Sequence, residues 1–248
     1  MKYKALMFDV DGTLVVNDPK AVPTPAVTSA VRKAATVLPV CLATGRGLHE
    51  VDPVLYALDV SGLCILDHGA LIYDVNHKKI VREVALSKTQ VQQAYQVFRS
   101  VGLPVYFFDD PSHTEYLGNE MPRSVLGLWS RGATAKESAL LEAGFAKIEN
   151  ITINKTKSWD GIGLSFEITH ADATKQHGVL EVAKLLHIDP SEIIGVGDGY
   201  NDYSLLMACG LKIAMGNAIP ELKAIADFIA PSVEEDGVVT IIEKFILP

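Results

Sequence analysis

The sequence predicts an α/β protein whose core is a mainly parallel β-sheet flanked by helices, with an α+β domain inserted into it. Short apolar runs alternate with amphipathic helical stripes over residues 1–81 and again from residue 171. This alternation is typical of parallel strands joined by crossover helices. Residues 82–170 instead have the pattern of helix, strand, helix and hairpin, which is too much chain for one crossover. We therefore predict a core domain at residues 1–81 and 171–248 and an inserted domain at residues 82–170.

The first predicted strand leads into two acidic residues. The apolar run Ala5–Phe8 predicts a buried strand, and Asp9 and Asp11 follow it with one residue between them. Because alternate residues of an extended chain point the same way, both carboxylates are expected to face one small volume. Like charges that close repel unless a cation or a shared proton holds them, and Mg²⁺ prefers oxygen ligands. The alternative is a plain polar turn, since Asp-Gly is a common turn pair.

Two helices and two more strands follow in this part of the chain. A helix is predicted to begin at Pro25 with Thr24 as its N-cap, and a second helix to end near Leu58. Strands are predicted at residues 37–43 and 63–66, and they end at polar turns that contain Thr44 and His68. Ligands of open α/β sheets bind beyond the carboxyl ends of the strands. Thr44 is therefore expected at the same edge of the sheet as Asp9.

The inserted segment contains sequence patterns that mark the starts of two helices. Capping boxes at Ser87 and Thr134 predict two helices, the second of which stops at Gly144. A strand is predicted at residues 105–108, an irregular segment at residues 112–132, and a hairpin with strands at residues 145–153 and 162–168. Six side chains of this segment could reach a substrate, with surface exposure or packing as the alternative for each: His113, Arg123, Trp129, Arg131, Lys155 and Trp159.

The α/β pattern returns near residue 171. A helix is predicted at residues 174–186, with Lys175 at its start, and a strand at residues 193–196. That strand leads into a polar turn that contains Asp198, Asn201 and Asp202. The remaining predicted elements are a helix up to Cys209, a strand at residues 211–215, a helix at residues 221–226, a strand at residues 228–230 and a helix at residues 237–245.

Composition and charge exclude several classes of protein. The 248 residues carry a formal net charge of −8, with 48% hydrophobic and 21% charged residues, as in ordinary globular proteins. There is no block of lysines and arginines, so no nucleic-acid partner is expected. Cys41, Cys64 and Cys209 are far apart and odd in number, which predicts reduced core thiols. No apolar run approaches the roughly 18 residues that span a membrane, and Asp9 interrupts the first one too early for a signal peptide. A cytoplasmic protein with no membrane partner is expected.

Polar groups at three strand ends and one helix start form the candidate site: Asp9 and Asp11, Thr44, Lys175, and Asp198, Asn201 and Asp202. Each has a simpler explanation alone, because Thr44 could cap a helix, Asp198 could belong to a plain turn and Lys175 could be solvated. Together they suit a phosphate site, in which carboxylates hold a cation while hydroxyl, N–H and ammonium groups hold phosphoryl oxygens. The sequence has neither a Gly-x-Ser-x-Gly motif nor a P-loop, which argues against serine hydrolases and P-loop nucleoside triphosphatases.

Four motifs, in this order, resemble those of the haloacid dehalogenase superfamily, and within it the Cof-type sugar phosphatases with a subclass IIB cap. They are Asp9-Val10-Asp11-Gly12-Thr13, Ala43-Thr44-Gly45-Arg46, Thr174-Lys175-Gln176-His177-Gly178 and Gly197-Asp198-Gly199-Tyr200-Asn201-Asp202. The segments Met215-Gly216-Asn217-Ala218 and Glu235-Asp236-Gly237-Val238 are also similar to the family. The chain departs from it at His68-Gly69-Ala70, where the family often has Asn-Gly-Ala. The resemblance implies a doubly wound, Rossmann-like core with an inserted cap domain.

The resemblance also implies a role for each matching residue. Asp9 would be the nucleophile that forms an aspartyl-phosphate, and Asp11 the general acid and base. Mg²⁺ would be held by Asp9, by Asp11 through its main chain and by Asp198, with Asp202 nearby. Five residues would hold the transferred phosphoryl group, through the N–H groups near Val10 and Gly45 and through the side chains of Thr44, Lys175 and Asn201. Arg46 could bind an anion or form a salt bridge at the start of a helix.

The implied function is a Mg²⁺-dependent phosphatase that hydrolyses a small phosphorylated metabolite, with sugar phosphates as the first choice. One alternative is a sugar phosphomutase of the same fold, which returns the phosphoryl group to a sugar. The other is a non-enzymatic, phospho-accepting regulator, although the chain length, the inserted domain and Asp11 argue against it. The expected partner is a small-molecule phosphate ester, and the sequence gives no prediction of oligomeric state.

Overall fold

The computed structural model describes residues 2–108, 110–158 and 161–247. Its strands, numbered in chain order, are β1 (Ala5–Phe8), β2 (Val40–Ala43), β3 (Leu63–Leu66), β4 (Leu71–Asp74), β5 (Lys79–Glu83), β6 (Tyr106–Phe107), β7 (Gly127–Ala133), β8 (Ile151–Lys157), β9 (Leu164–His170), β10 (Ile193–Gly197), β11 (Leu211–Ala214) and β12 (Phe228–Ile229). Its α-helices are α1 (Pro25–Ala35), α2 (Leu48–Leu58), α3 (Lys88–Ser100), α4 (Ala135–Phe145), α5 (Lys175–Leu186), α6 (Asp202–Ala208), α7 (Pro220–Ile225) and α8 (Gly237–Phe245). Two compact units result, a core unit up to Arg82 and from Thr174 onward, and an inserted unit, Glu83–Ala173.

The described strands of the core sheet lie in the order β12-β11-β10-β1-β2-β3-β4-β5. β1 pairs in parallel with both β10 and β2, and the pairs β10–β11, β11–β12 and β2–β3 are parallel as well. β3 and β4 are antiparallel. The predicted α/β fold with a mainly parallel sheet is therefore confirmed. Because the chain continues from β1 to β2 on one side and returns to β10 on the other, β1 lies at a topological switch point, where such sheets bind ligands.

The centre of the core sheet is apolar on both faces. All four residues of β1 are completely buried, as expected for a parallel strand with helices on either side. Helix α1 begins as predicted, with Pro25 in its first turn and the Thr24 Oγ1 accepting a hydrogen bond from the Val27 N–H at 3.2 Å. This packing makes the carboxyl end of β1 a rigid support for the residues that follow it.

The three cysteines are buried in the core unit. Burial raises the pKa of Cys41, Cys64 and Cys209 to about 12 in each case. These thiols are therefore protonated and unreactive at neutral pH. Among the helices of the described residues, none combines the length and the apolar character needed to cross a bilayer.

The inserted unit contains a four-stranded antiparallel sheet in the order β6-β7-β9-β8 and two helices, α3 and α4. Both helices begin at the predicted capping boxes, at Ser87 and Thr134. Its core includes Phe98 and Phe145, whose rings meet edge to face with centroids 4.9 Å apart. This unit therefore buries an apolar core of its own.

Several strands differ from the sequence prediction. β4 and β5 were not predicted, and residues 127–132 lie in β7 although the segment was predicted to be irregular. The hairpin is shifted toward the C-terminus, because Phe145 belongs to α4 and residues 154–157 belong to β8. The burial of the residues explains why these strands were not predicted. β5 is mostly exposed, whereas β7 contains a fully buried serine, Ser130, where its pairing with β9 becomes irregular. Neither strand has the apolar pattern on which the prediction depends.

Candidate active site

Three neighbouring strands end side by side at the switch point. Asp9, Asp198 and Thr44 come directly after β1, β10 and β2. Phe8 is opposite Val196 in one pairing and Leu42 in the other, so the three strand ends lie at the same level. Three polar side chains from distant parts of the sequence are thus collected at one edge of the sheet.

Lys175 joins two of the carboxylates. Its Nζ atom lies 2.6 Å from Asp9 Oδ1 and 2.6 Å from Asp202 Oδ1. Lys175 is 1% exposed, Asp202 is 0% exposed and Asp9 is 5% exposed. Lys175 occupies the first position of α5, where Thr174 caps the helix through its Oγ1. A buried ammonium group is stable only with such partners, so the simple surface explanation for Lys175 is excluded.

Asp202 organises the turn after β10. Its Oδ2 accepts hydrogen bonds from the N–H groups of Asp198 and Gly199, both at 2.9 Å, while its Oδ1 accepts from Lys175. A side chain at Gly197 would place a Cβ 2.4 Å from the Asp202 carboxyl carbon, so only glycine fits there. Asp202 therefore acts as a fixed anchor that holds the Asp198 main chain in place.

The electrostatics of this cluster are dominated by burial and like charges. Burial, followed by the charge of Asp202, raises the pKa of Asp9 well above its ordinary value, although Lys175 opposes the shift. The same two causes raise the pKa of Asp198 to about 7. Burial alone would lower the pKa of Lys175, but the charges of Asp202 and Asp9 outweigh it and raise this pKa. The ammonium group of Lys175 contacts two of these three carboxylates, those of Asp9 and Asp202.

The donor set fits a hard divalent cation. Asp9, Asp198 and Asp202 each bring a carboxylate oxygen to within 4.8 Å of the others. The hydrogen bonds to the two Asp202 oxygens are short, at 2.6 and 2.9 Å, whereas the contacts to the Asp198 oxygens are longer, at 3.2 and 3.5 Å, so Asp9 and Asp198 are the more available ligands. Carboxylate oxygens in excess of positive charge are the environment that Mg²⁺ prefers.

The carboxylate of Asp11 lies outside this group and is bound by Arg46. Arg46 Nη2 is 2.6 Å from Asp11 Oδ1, and Arg46 Nε is 2.9 Å from Asp11 Oδ2. The same guanidinium group donates to the carbonyl oxygens of Asp18 and Glu50, at 3.3 and 3.2 Å. The salt bridge considered for Arg46 is therefore present, with Asp11 as its partner. The main chain of Asp11 stays next to Asp9, so its predicted contribution to a cation site remains a prediction.

The turn after β2 lies beside Asp9 at the carboxyl edge of the sheet and forms one wall of the candidate site. Thr44 is 1% exposed, and its Oγ1 accepts a hydrogen bond from the Arg46 N–H at 3.1 Å. The buried ring of His68 lies against Gly45, because a Cβ built at Gly45 would stand only 2.4 Å from His68 Cε1. His68 has a left-handed backbone, with φ of 60°, and donates its N–H to the Thr44 carbonyl oxygen at 3.1 Å. The turn in which the chain departs from the Cof-type pattern is thus part of this wall.

Val10 and Asn201, the remaining residues predicted for the phosphate site, lie in the turns that carry Asp9 and Asp202. Val10 is buried, and its carbonyl oxygen accepts the N–H groups of Leu14 and Val15 at 2.9 and 3.0 Å, which closes the turn after Asp9. Asn201 is the N-cap residue of α6, directly before Asp202, and makes no side-chain capping bond. Each residue predicted for the core site therefore lies at the end of β1, β2 or β10 or at the start of α5 or α6.

Two side chains near Asp198 were not assigned to the site from sequence. The Thr13 hydroxyl lies 3.5 Å from Asp198 Oδ1, and the Asn217 amide lies 3.2 Å from Asp198 Oδ2. Both occur in segments similar to the haloacid dehalogenase superfamily. The sequence offered one indication for Asn217, because this residue lies in a turn that directly follows a buried strand, β11.

Three of the candidates from the inserted unit, His113, Trp129 and Arg131, lie next to one another. The Trp129 ring stacks on Tyr106, with centroids 4.4 Å apart, and meets the His113 ring edge to face at 5.4 Å. The Arg131 guanidinium carbon is 5.9 Å from the Trp129 centroid. Lys155 forms an ion pair with Glu142 on the surface. Arg123 is exposed, and Trp159 lies outside the described residues.

The chain was compared with known protein families, curated proteins and solved structures, and it matches one family. The sequence model of the haloacid dehalogenase-like hydrolases matches residues 6–124 and 119–242. The chain is 27% identical over 248 residues to a phosphoglycolate phosphatase from Methanobrevibacter smithii, covering 100% of both proteins. It is 28% identical over 243 residues to a phosphoglycolate phosphatase from Archaeoglobus fulgidus, covering 96% of this chain and 95% of that protein. A sugar phosphatase of haloacid dehalogenase subclass IIB has a similar fold, with a TM-score of 0.80, 22% identity and coverage of 99% of this chain and 100% of that chain.

Proposed function

The chain belongs to the family of haloacid dehalogenase-like hydrolases, and on this basis we propose that it is a phosphatase that hydrolyses a small phosphorylated metabolite through an aspartyl-phosphate on Asp9. The observation that carries the proposal is the 2.6 Å contact between Lys175 Nζ and Asp9 Oδ1 at the switch point of the sheet. A nucleophilic carboxylate has to be ionised and held in one position, and an ammonium group at this distance favours the ionised form and fixes the orientation of the carboxylate.

In the proposed reaction, a carboxylate oxygen of Asp9 bonds to phosphorus while the bond between phosphorus and the leaving oxygen breaks. Asp11 donates a proton to that oxygen, and then accepts one from the water that attacks the aspartyl-phosphate. Phosphate leaves and Asp9 is regenerated. Such acid–base help is worth roughly 10²–10⁴-fold in rate. Since Arg46 holds both carboxylate oxygens of Asp11, the Asp11 side chain has to leave Arg46 before it can act.

The phosphoryl group itself needs donors around it. We propose that Lys175, Thr44 and Asn201 supply them from their side chains, with main-chain N–H groups near Val10 and Gly45. Lys175 is already directed at Asp9 and is buried, which makes its charge effective at short range. Positioning and charge neutralisation supply most of the catalysis of phosphoryl transfer.

A divalent cation such as Mg²⁺ completes the proposal. When bound, it would supply positive charge that offsets the repulsion between the carboxylates and a phosphate dianion. Asp9, Asp198 and the main chain of Asp11 would hold it. Asp202 would keep its bonds to the N–H groups of Asp198 and Gly199 and so orient Asp198.

Two substrate classes have the strongest support. The relatives in the two archaea are named phosphoglycolate phosphatases, and a protein with a similar fold is named a sugar phosphatase. We therefore propose 2-phosphoglycolate and sugar phosphates as first candidates, with the inserted unit as the cap domain that selects the leaving group. A cytoplasmic location and the lack of a nucleic-acid partner stay predictions of the sequence.

The test is phosphate release from a panel of 2-phosphoglycolate, phosphorylated sugars, nucleotides and cofactor phosphates, with and without Mg²⁺. Wild type is compared with Asp9→Asn and with Asp52→Asn, a control in which an exposed acid of α2 is neutralised. We expect Mg²⁺-dependent release that Asp52→Asn keeps and Asp9→Asn loses. A fully active Asp9→Asn enzyme would contradict the assignment of the nucleophile.

Product analysis separates the alternatives that share this site. A phosphatase releases inorganic phosphate from its best substrate in proportion to the alcohol formed. Conversion of one sugar phosphate into an isomer, without phosphate release, would instead identify a mutase. A stable phosphorylated protein without turnover would identify a phospho-accepting regulator.

A further inference from the structure

Asn217 connects three segments of the core unit through one side chain. Its Nδ2 donates to the Gly12 carbonyl oxygen at 2.8 Å and to Asp198 Oδ2 at 3.2 Å. Its Oδ1 accepts the N–H of Val233 at 2.9 Å. The first two partners belong to the turns that carry Asp11 and the candidate cation ligand Asp198, yet no step of the proposed reaction uses Asn217.

The chemistry of the three partners determines which way the amide points. Val233 offers an N–H donor, so it has to face the amide oxygen. Gly12 offers a carbonyl oxygen and Asp198 a carboxylate oxygen, so both have to face the amide nitrogen. A carboxamide is the short side chain that carries a donor and an acceptor on the same branch. The site therefore calls for asparagine rather than aspartate or an aliphatic residue.

The same turn also holds the main chain of Asp198. The Ile219 N–H donates to the Asp198 carbonyl oxygen at 3.0 Å, and the Met215 N–H donates to the Gly197 carbonyl oxygen at 3.0 Å. On the other side of the carboxylate, Thr13 lies 3.5 Å from Asp198 Oδ1. Asn217 thus supplies the shorter of the two side-chain contacts that orient the Asp198 carboxylate.

We propose that Asn217 is a positioning residue that fixes the Asp198 carboxylate against the Gly12 turn and so sets the affinity of the site for a divalent cation. The inference rests on the proposed function, in which Asp198 and the main chain of Asp11 hold the cation. Partners that orient metal ligands typically change metal affinity by about 10–100-fold when they are removed. The effect of Asn217 is expected on cation binding rather than on phosphoryl transfer once the cation is bound.

The test measures Mg²⁺ binding to the substrate-free protein by calorimetry, together with the rise in Tm that Mg²⁺ causes. Asn217→Ala and Asn217→Ser both lose the amide, and the side chain is exposed, so at least one of them is expected to fold. We expect a Kd for Mg²⁺ that is about 10–100-fold higher in these variants. With the best phosphate ester of the panel, kcat at saturating Mg²⁺ is expected to return close to the wild-type value.

Lys223→Met is the matched control. The Lys223 ammonium group donates to the Gly216 carbonyl oxygen at 2.5 Å, so this variant loosens the same turn without touching Asp198. It is expected to keep the wild-type Kd for Mg²⁺. Equal weakening in Lys223→Met, or a wild-type Kd in the folded Asn217 variants, would overturn the inference. If wild type itself binds no Mg²⁺, the cation site of the proposed function fails and the role of Asn217 fails with it.

Discussion

Arg46 binds the carboxylate of Asp11 through two parallel hydrogen bonds, Nη2 to Oδ1 at 2.6 Å and Nε to Oδ2 at 2.9 Å. Arg46 is 7% exposed, whereas the Asp11 side chain is 35% exposed. The rigid partner is therefore the arginine, which also binds the carbonyl oxygens of Asp18 and Glu50. The planar guanidinium group fits this set of acceptors, and a lysine could not reproduce it.

We predict that Arg46→Lys destabilises the fold, because it breaks the two-bond contact with Asp11 and the hydrogen bonds to the carbonyl oxygens of Asp18 and Glu50. The expected loss in the free energy of unfolding is about 1–3 kcal/mol, discounted for the exposure of Asp11. Urea unfolding measures it. Arg32→Lys is the control, since Arg32 also binds two carbonyl oxygens, those of Leu58 and Ala57, but near the surface. A loss in Arg46→Lys no larger than in the control would show that the Asp11 contact contributes nothing.

Lys175→Met is predicted to damage both stability and turnover. The substitution leaves Asp9 and Asp202 buried without their ammonium partner, which costs on the order of 3–5 kcal/mol for a buried pair. It also removes a donor to the phosphoryl group, for which we expect a fall in kcat/KM of about 10²–10³-fold. Unfolding curves and steady-state kinetics with the best phosphate ester measure the two effects.

Lys184→Met serves as control for Lys175→Met on the same helix, because the Lys184 side chain is 76% exposed and pairs with Glu181 at the surface. The control is expected to change stability by less than about 0.5 kcal/mol. Unchanged kcat/KM in a folded Lys175→Met protein would remove Lys175 from the phosphate site.

Stability of the metal-free protein is predicted to fall as pH rises toward neutrality. Burial and the charge of Asp202 raise the pKa of Asp198 from 3.8 to about 7. Between these values the native protein binds more protons than the unfolded chain, so the free energy of unfolding decreases from about pH 4 to about pH 7. Asp9 shifts in the same direction. The measurement is Tm as a function of pH, in the presence of a chelator, for wild type and Asp198→Asn. The variant is expected to lose less stability than wild type as pH rises, and the same slope of Tm against pH in both proteins would contradict the prediction.

Gly45 and His68 are predicted to be coupled. A Cβ at Gly45 would stand 2.4 Å from His68 Cε1, so Gly45→Ala is expected to cost about 1–3 kcal/mol of stability. His68→Asn shortens the facing side chain with a residue that tolerates a left-handed backbone, and should recover part of that loss. A double-mutant cycle of unfolding free energies is expected to give a coupling above about 0.5 kcal/mol. Strict additivity would mean that the two residues do not share this space.

Much of the core fold could be predicted because each buried strand is a short apolar run bounded by polar turns. The parallel pairing of most strands follows from that alternation, and the caps at Thr24, Ser87 and Thr134 predicted helix starts that the structure confirms. β5 was not predicted because it is mostly exposed, and β7 was not predicted because polar and small residues such as Ser130 interrupt its apolar pattern.

The sequence named residues for the candidate site, but it could not predict the contacts between them. The motifs name Asp9 and Lys175, yet nothing in their local sequence says that the ammonium group bridges Asp9 to Asp202. The partner of Arg46 also had to come from the structure, because Asp11 lies 35 positions earlier in the chain. The roles of these residues in catalysis stay predictions until the variants above are measured.

The strand order has a consequence for how a newly made chain matures. β1 is the first described strand, but its neighbour β10 lies at Ile193–Gly197. At roughly 5–20 residues per second of synthesis, the ribosome needs on the order of ten seconds or more to deliver β10 after β1. Until then one edge of β1 is open, which makes the nascent chain a target for chaperones or for wrong strand pairing. Asp9 is therefore synthesised long before Lys175 and Asp202, the residues with which it shares a buried ionic cluster.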